Sequence, residues 1–349
     1  MSAWRRLRPL ASRVRPYLGR SNGIEHGASR HWVISPAEPG HAPSALFEPA
    51  DLARIQGVAP DSGTLAGEIE RARGGPVVHF ATTAYELRDA SLAAGHLFTS
   101  KVYCRLSDAP APLWSKSGLR EYPDAVLASS HYGVKYFGHW MNDDLPKLLA
   151  ARELGHPVST LIRPTPAQQG YLRLLALETE TVADAHFKRL IVIDDVGQNA
   201  YKRRRIAALR ARAEAHAGAQ RGAGIMLLRG KSGLSRVLAN ESEVAAIARA
   251  RGFQVIDPAL TDAAELLRLC VGARVVLGVE GSQLVNGLMW MAASGSAVVI
   301  QPPKRFTMVL KAHCDAVGIR YAFIVGDALD DENFRVDTGA LQRLLDRVS

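Results

Sequence analysis

The sequence predicts an α/β fold with two Rossmann-like domains that face each other across a cleft. Strand-sized apolar runs alternate with helical segments of about 10–15 residues, the pattern of parallel sheets covered by helices. At 349 residues the chain exceeds the size of one hydrophobic core, which favours two domains of about 150 residues each. Its composition, 47% hydrophobic and 22% charged, excludes a disordered chain, and its apolar runs are too short to span a membrane.

The alternation is most regular in the second half of the chain, where βαβ units predict a parallel sheet with helices on both faces. Strands are predicted there at Gly224–Arg229, Phe253–Asp257, Arg274–Gly278, Ala297–Gln301 and Arg320–Val325. Helices are predicted from about Glu241, from about Thr261, after Gly281, around Phe306–Val317 and over Thr338–Val348.

The first half shows the same rhythm less regularly. Its predicted strands are Pro76–Ala81, His96–Leu106, Ala125–His131, Val158–Ile162 and Arg189–Asp194. We therefore predict a basic, flexible N-terminal arm over residues 1–45, a first α/β domain over 46–205, and a Rossmann-like domain with a terminal helix over 206–349.

Positive charge is concentrated in the arm. The net charge is +9, and six of the excess charges lie in the first 20 residues, which contain no acid: Arg5, Arg6, Arg8, Arg13, Arg15 and Arg20. The remainder is only mildly basic, which argues against a nucleic-acid-binding protein. Because Trp4 and Tyr17 accompany these arginines, the arm is expected either to be a flexible tail or to lie on an anionic membrane surface.

The cysteines and histidines predict neither disulfides nor a protein metal site. Cys104, Cys270 and Cys314 are far apart, and the histidines have no ligand spacing. We therefore expect a reducing, cytoplasmic compartment.

A glycine turn in LGVEGSQLVNGLMW follows one predicted strand. Gly278 and Gly281 allow a tight turn, and a helix that opens near Ser282 would present amide groups and its positive dipole end to an anion. The pattern is not G-x-G-x-x-G, so it gives little support to a nicotinamide cofactor. Such a turn is also common in βα units that bind nothing.

Two arginines occur in LLRGKSGLSRVLANESE. Arg229 ends a predicted strand and Arg236 follows a glycine-containing loop, so their planar guanidinium groups could bind a diphosphate. A solvated strand end is the alternative for Arg229. Asn240 and Glu243 have the spacing of a helix N-cap and capping box, a structural alternative to ligand binding.

A histidine and an acid lie four residues apart in HYGVKYFGHWMNDDLPKLL. His139 and Asp143 share a helix face if one helix runs through both, and a partly desolvated carboxylate beside a histidine is a candidate general base. Alternatively, Pro146 marks a helix start and Asn142 or Asp143 is only its N-cap.

A basic run follows at residues 201–205 (YKRRR) and continues to Arg210, Arg212 and Arg221. We interpret this run as a solvated helix face, with a role beside an acidic or membrane-bound acceptor as the alternative.

These three segments, in this order, resemble the glycosyltransferase 61 family over roughly residues 125–303. The segment YFGHWMNDDLPKL is similar to the family motif Y-x-H-W-x-x-[DE]-x-L-P-[RK]-L. The segment LLRGKSGLSRVLANESE is similar to a family element that has two arginines before N-E. The segment VVLGVEGSQLVNGLMW is similar to the family element G-x-H-G-A-x-L-x-N. The chain departs from the family at Glu280, where histidine is usual, at Ser282 and Gln301, and at Val237 after the second arginine.

The resemblance implies a GT-B glycosyltransferase that is inverting, requires no metal or other cofactor, and uses a nucleotide sugar. Asp143 matches the carboxylate proposed as base, with His139 beside it. The first domain would hold the acceptor near Tyr136, Trp140 and Asp144. The second would bind the donor through Arg229, Arg236, Asn240, Gly278, Glu280, Gly281, Ser282, Gln283 and Asn286.

The resemblance also implies the partners. Bacterial relatives are associated with capsular and other surface polysaccharides, so the expected acceptor is a polysaccharide or a lipid-linked glycan, with the arm on the inner membrane face. The Glu280 carboxylate would repel a diphosphate unless Arg229 or Arg236 neutralises it. A non-catalytic nucleotide-sugar- or glycan-binding protein is therefore the main alternative, and another nucleotide-sugar enzyme such as an epimerase is a third.

Overall fold

A computed structural model describes residues 7–18, 21–116, 118–218, 222–229, 236–330 and 333–348. The chain forms two compact units. The first comprises Met1–Glu38, His79–Thr165 and Ala176–Arg205, and the second comprises Pro39–Val78, Pro166–Leu175 and Ile206–Ser349. Arg5, Arg6, Arg20, Arg221 and the glycine-containing loop 230–235 lie outside the described residues.

The strands are numbered in chain order. They are β1 (Arg30–Ser35), β2 (Glu38–Ala42), β3 (Gly75–His79), β4 (Thr82–Ala93), β5 (His96–Phe98), β6 (Tyr103–Arg105), β7 (Arg120–Tyr122), β8 (Ala125–Leu127), β9 (Pro157–Ser159), β10 (Glu180–Thr181), β11 (Ala185–Asp194), β12 (Ile225–Leu227), β13 (Val237–Leu238), β14 (Gln254–Ile256), β15 (Val275–Val279), β16 (Ser296–Gln301), β17 (Arg320–Val325), β18 (Asp327–Ala328) and β19 (Asn333–Arg335).

The helices are numbered in the same way. They are α1 (Arg8–Val14), α2 (Ile24–Gly27), α3 (Pro49–Ala53), α4 (Leu65–Arg73), α5 (His131–Lys135), α6 (Phe137–His139), α7 (Leu145–Leu154), α8 (Pro166–Leu174), α9 (Ala200–Ala217), α10 (Glu241–Ala250), α11 (Ala263–Cys270), α12 (Val285–Leu288), α13 (Val309–Ala316) and α14 (Thr338–Val348). Short 3₁₀ turns occur at Arg15–Leu18 and Ser282–Leu284, and a π-helical turn at Trp140–Asp144.

The first unit contains a mixed sheet, with strand order β10-β9-β8-β11-β4-β5-β6. The strands from β10 to β11 are parallel, but β4 is antiparallel to both β11 and β5, and β5 is antiparallel to β6. The predicted parallel sheet is therefore wrong for these strands. For β4 and β5 the cause is local: Ala94 and Gly95, both with positive φ, form the tight hairpin between these two strands.

The predicted flexible arm is partly ordered. Within residues 1–45, β1 pairs antiparallel with β4 from Arg30 opposite Glu86 to Ser35 opposite Thr82. This pairing corrects the expectation of a flexible segment for that strand, because its backbone groups are bonded into the sheet. The described part of the chain contains no helix long and apolar enough to cross a membrane.

The second unit contains the predicted parallel sheet, with strand order β14-β12-β15-β16-β17. This confirms the α/β class for the second half. The order is that of a doubly wound fold in which β12 and β15 flank the topological switch point, where ligands bind beyond the carboxyl ends of the strands. Arg229 lies just beyond β12, and Glu280 and Gly281 lie just beyond β15.

The segment 39–78, most of which was assigned to the first domain, belongs to the second unit. Leu46 forms a bridge with Ala322, and Val58 forms one with Phe306. A buried carboxylate adds a third link, because Asp51 accepts a hydrogen bond from the Val325 backbone at 3.0 Å. One boundary between the two units falls between Arg205 and Ile206.

Candidate functional site

His139 and Asp143 meet as their spacing predicted. A continuous helical segment runs through α6, the π turn and α7, so Asp143 is not an N-cap. The Nδ1 atom of His139 lies 2.8 Å from Oδ2 of Asp143. Because an ionised carboxylate only accepts hydrogen bonds, Nδ1 carries the proton and the lone pair of the ring is on Nε2. Both side chains are partly exposed.

A third residue, Lys202, completes this group. Its Nζ lies 2.6 Å from Oδ1 of Asp143 and also donates to the Asp195 carbonyl at 3.2 Å. Burial by itself would raise the pKa of Asp143, but the charge of Lys202 and the hydrogen bonds from His139 and Lys202 outweigh it and hold that pKa well below its usual value. Asp143 therefore stays ionised and is a weak proton acceptor. We call His139, Asp143 and Lys202 the histidine triad.

Lys202 is held by a buried polar network at the start of α9. The Asp195 carboxylate accepts two hydrogen bonds from Arg205, at 2.8 and 2.9 Å, and a third from the hydroxyl of Thr82 at 2.9 Å. The side chain of Asn199 caps the helix by accepting from the Lys202 backbone at 3.1 Å. The network fixes the backbone from which Lys202 reaches Asp143.

The interpretation of residues 201–205 as a solvated helix face is therefore wrong for part of the run. Lys202 and Arg205 are buried, as is Tyr201, whose hydroxyl donates to Glu153 at 2.7 Å. Buried charges are tolerated because each has a carboxylate partner. A run of basic residues does not reveal this, since its pattern does not show that Asp143, 59 residues away, and Asp195, 10 residues away, approach it in the fold.

Two of the three predicted acceptor-side residues are buried. Trp140 is 5% exposed and Asp144 is 3% exposed. Asp144 accepts hydrogen bonds from the backbone and the hydroxyl of Ser130 at 3.0 and 2.7 Å, and burial raises its pKa to about 6. These contacts give Asp144 a structural role, and the acceptor-side role of both residues stays a prediction. Tyr136 is partly exposed and lies 6.1 Å from the His139 ring, centroid to centroid.

In the second unit, arginines gather around the switch point. Nη1 of Arg229 donates to Oε1 of Gln283 at 2.9 Å, and its backbone donates to Glu241 at 2.8 Å. Nη1 of Arg236 lies 2.7 Å from Oε2 of Glu280. Arg305, which the sequence analysis did not single out, adds a third positive charge that acts on Arg229, Arg236 and Glu280.

Burial shapes the electrostatics of this group, which we call the arginine cluster: Arg229, Arg236, Arg305 and Glu280. Desolvation lowers the pKa of Arg229 to about 10, with a further contribution from Arg236. Desolvation also raises the pKa of Glu280, although the three arginines act in the opposite direction. Three guanidinium groups and two carboxylates, Glu280 and the nearby Glu241, leave an excess of positive charge, which favours an anionic ligand.

Gly281 allows the arginine cluster to form. Its φ of +153° is costly for other residues, and a Cβ at this position would collide with Nη1 of Arg229 and with Oε1 of Gln283. Gly278 allows close packing of β15 against its neighbours, since a Cβ there would lie 2.6 Å from the Leu227 carbonyl oxygen and 2.7 Å from the Leu284 side chain. The two glycines are thus needed, but for different reasons.

Replacing Gly281 with alanine is expected to lower the free energy of unfolding by about 1–3 kcal/mol, because the new Cβ displaces Arg229 and strains the backbone. Chemical denaturation measures this loss. Gly63→Ala is the matched control, since a Cβ at Gly63 meets nothing within 4 Å. Equal stability of the two variants would contradict this account of Gly281.

The predicted helix after Gly281 is much shorter than expected. Ser282–Leu284 is a 3₁₀ turn and α12 covers only Val285–Leu288, so no long helix directs its dipole at this position. Ser282 itself is partly exposed. An anion at the switch point would therefore depend on the arginines rather than on a helix dipole.

Two predicted donor-binding residues, Asn240 and Asn286, have structural partners, and their donor contacts stay a prediction. The amide of Asn240 exchanges two hydrogen bonds with the Val336 backbone, at 2.9 and 3.1 Å, and makes no side-chain cap to α10. The predicted side-chain capping role of Asn240 is therefore wrong. Asn286 is buried; it accepts from the Tyr171 hydroxyl at 2.9 Å and donates to the Gln283 carbonyl at 3.0 Å.

Comparison with known proteins gives one assignment. The family model described as glycosyltransferase 61 matches residues 137–299. Residues 137–299 belong to the glycosyltransferase 61 family. This glycosyltransferase 61 segment includes the histidine triad and most of the arginine cluster, but Arg305 and the tyrosines before Phe137 lie outside it. No curated protein matches the chain.

Within the parts of the chain that the structure describes, no group of three or more His, Cys, Asp or Glu side chains is arranged to hold a metal ion.

Proposed function

We propose that the chain is an inverting glycosyltransferase that transfers a hexosyl or pentosyl group from a nucleotide sugar to a polysaccharide or lipid-linked glycan. One observation carries the proposal: within the family segment, the His139 ring is oriented by Asp143, whose second oxygen is bound by the buried Lys202. This arrangement prepares an imidazole to accept a proton from an acceptor hydroxyl.

In the proposed reaction, the acceptor oxygen bonds to the anomeric carbon while the bond from that carbon to the donor phosphate breaks. The electron pair leaves with the nucleoside diphosphate, and the hydroxyl proton passes to Nε2 of His139. Asp143 would orient the ring and stabilise the imidazolium. We assign the base to His139 rather than to Asp143, because both Asp143 oxygens are engaged and its pKa is lowered.

The arginine cluster is proposed to stabilise the leaving diphosphate. Arg229 and Arg305 would meet the phosphate charge, and Arg236 would join them as it separates from Glu280. Fixed positive groups at a departing anion typically contribute about 10²–10³-fold in rate. Metal independence and the arrangement of two domains across a cleft, as in GT-B enzymes, remain predictions.

A donor screen tests this function. We expect one of UDP-, GDP-, CMP- or ADP-linked sugars to raise the melting temperature, since a ligand at 100 times its Kd stabilises by about 2.7 kcal/mol. Arg229→Met should abolish the shift, whereas Arg249→Met, on the exposed face of α10, should not. Incubation with glycan acceptors, followed by NMR of the anomeric proton, then reports transfer and inversion. A wild type that binds none of the four classes contradicts the proposal.

The Arg236–Glu280 pair favours one alternative function. A carboxylate already neutralises one arginine, as expected of a non-catalytic nucleotide-sugar- or glycan-binding protein. Saturable donor binding with no nucleotide release over a broad acceptor panel would support this alternative.

A cytoplasmic location, with the N-terminal arginines on the inner membrane face, is part of the main proposal. Its basis is the charge of the first 20 residues, of which Arg5, Arg6 and Arg20 lie outside the described part of the chain.

A further inference from the structure

Three aromatic rings lie together on the surface beside the histidine triad. Tyr132 is on α5, Tyr136 joins α5 to α6, and His139 ends α6. Their ring centroids are 6.4 Å apart for the two tyrosines, 5.3 Å for Tyr132 and His139, and 6.1 Å for Tyr136 and His139. The two tyrosine rings are within 13° of parallel. We call Tyr132 and Tyr136 the tyrosine pair.

The tyrosine pair is positioned by its surroundings. The Tyr136 backbone donates to the Tyr132 carbonyl at 2.8 Å, which fixes the spacing of the two residues. Nζ of Lys135 lies 5.1 Å from the Tyr136 ring centroid, a cation–π contact. The same Nζ lies 3.1 Å from Oδ2 of Asp108, so an ion pair keeps the lysine beside the ring. Tyr132 remains 46% exposed.

We propose that the tyrosine pair binds a pyranose ring of the acceptor and presents one of its hydroxyls to His139. An aromatic ring carries negative potential on its face, which attracts the C–H groups on one side of a sugar ring. The ring of Tyr132, which is 46% exposed and stacks on Tyr136, offers a surface of this kind, and its phenol group can hydrogen-bond to sugar hydroxyls.

The position of the rings sets the role of this surface. Tyr132 lies 5.3 Å from the same imidazole whose Nδ1 is engaged by Asp143. A sugar stacked on Tyr132 therefore lies beside His139, the group that must take its proton. A sugar in this position is the reacting unit of the acceptor rather than a more remote unit of the same glycan. This inference rests on the proposed function, since it assumes that His139 serves a transfer reaction.

Saturation-transfer NMR with methyl pyranosides tests the inference without knowledge of the natural acceptor. The wild type is titrated with methyl α- and β-glycosides of glucose, galactose, mannose and xylose. We expect saturation of ring protons on one sugar face, and an increase in Kd of about 5- to 10-fold for Tyr132→Ala, the range expected for an aromatic contact.

Two further variants make the result specific. Tyr132→Phe keeps the ring and should retain most of the affinity, which separates stacking from loss of the hydroxyl. Tyr17→Ala removes a tyrosine that is 89% exposed and should bind like the wild type. Circular dichroism of each variant verifies the fold.

The outcomes separate this inference from the proposed function. A Tyr132→Ala protein that binds the pyranosides as tightly as the wild type overturns the inference, as does a wild type that binds none of them. Nucleotide-sugar binding by the wild type is measured in parallel. If the wild type binds a nucleotide sugar, only the inference about the tyrosine pair is wrong. If it binds none, the proposed function itself is wrong.

Discussion

Replacing His139 with glutamine is expected to lower the rate of sugar transfer by about 10²–10⁴-fold, the usual contribution of a positioned general base. Glutamine can still bond to Asp143 but offers no basic nitrogen to the acceptor hydroxyl. The measurement is nucleotide release from the best donor in the presence of acceptor, with the melting temperature as a check on folding.

The matched control is His156→Gln. His156 forms the same kind of pair, with Nε2 lying 2.8 Å from Oε2 of Glu180, but it is outside the histidine triad. Its loss should leave the rate near that of the wild type. A substantial decrease with His156→Gln would show that such histidine pairs act on the rate through stability rather than catalysis.

Asp143→Asn distinguishes the two possible bases. If His139 is the base, both His139→Gln and Asp143→Asn lose activity, because asparagine favours the wrong imidazole tautomer. If Asp143 is the base, His139→Gln keeps much of the activity while Asp143→Asn does not. The pH profile adds a second criterion. Because the pKa of Asp143 is held well below its usual range, its carboxylate stays charged down to strongly acidic pH, and an acidic limb between pH 5 and 7 would not come from Asp143.

The sequence predicted the site where the signal was local. The four-residue spacing of His139 and Asp143 is a property of one helical segment, and the structure brings the two side chains together. Arg229 and Gly281 were predicted to lie beyond strand ends, and the parallel sheet of the second unit places both at its switch point. In each case the periodicity of a short segment was sufficient.

The sequence did not reveal contacts that depend on distant segments. Lys202 belongs to a basic run, and only the approach of Asp143 and the end of β11 explains why its charge is buried. Asn240 has the spacing of a cap, but the Val336 backbone, 96 residues away, takes its amide. Arg305 follows a Pro-Pro turn with no motif of its own, and its place beside Glu280 depends on the fold of the second unit.

The second large effect is expected from the buried Arg205–Asp195 pair. Arg205→Met should lower the free energy of unfolding by about 3–5 kcal/mol, because it leaves the Asp195 carboxylate in the interior without its positive partner. Both side chains are at most 2% exposed. The Arg105–Asp108 pair, whose side chains are about half exposed, is the control, and Arg105→Met should cost only about 0.2–1 kcal/mol.

A double-mutant cycle shows whether the cost comes from the orphaned charge. In Arg205→Met/Asp195→Leu the unpaired carboxylate is gone, so the double variant should be more stable than the sum of the single losses predicts. Because the Asp195 carbonyl also binds Lys202, Arg205→Met should in addition loosen the hold of Lys202 on Asp143 and reduce the transfer rate of the folded fraction. Additive single losses, or an Arg205→Met protein within about 1 kcal/mol of the wild type, would contradict the orphaned-charge account. An unchanged transfer rate in the folded fraction of Arg205→Met would show that this network does not support the histidine triad.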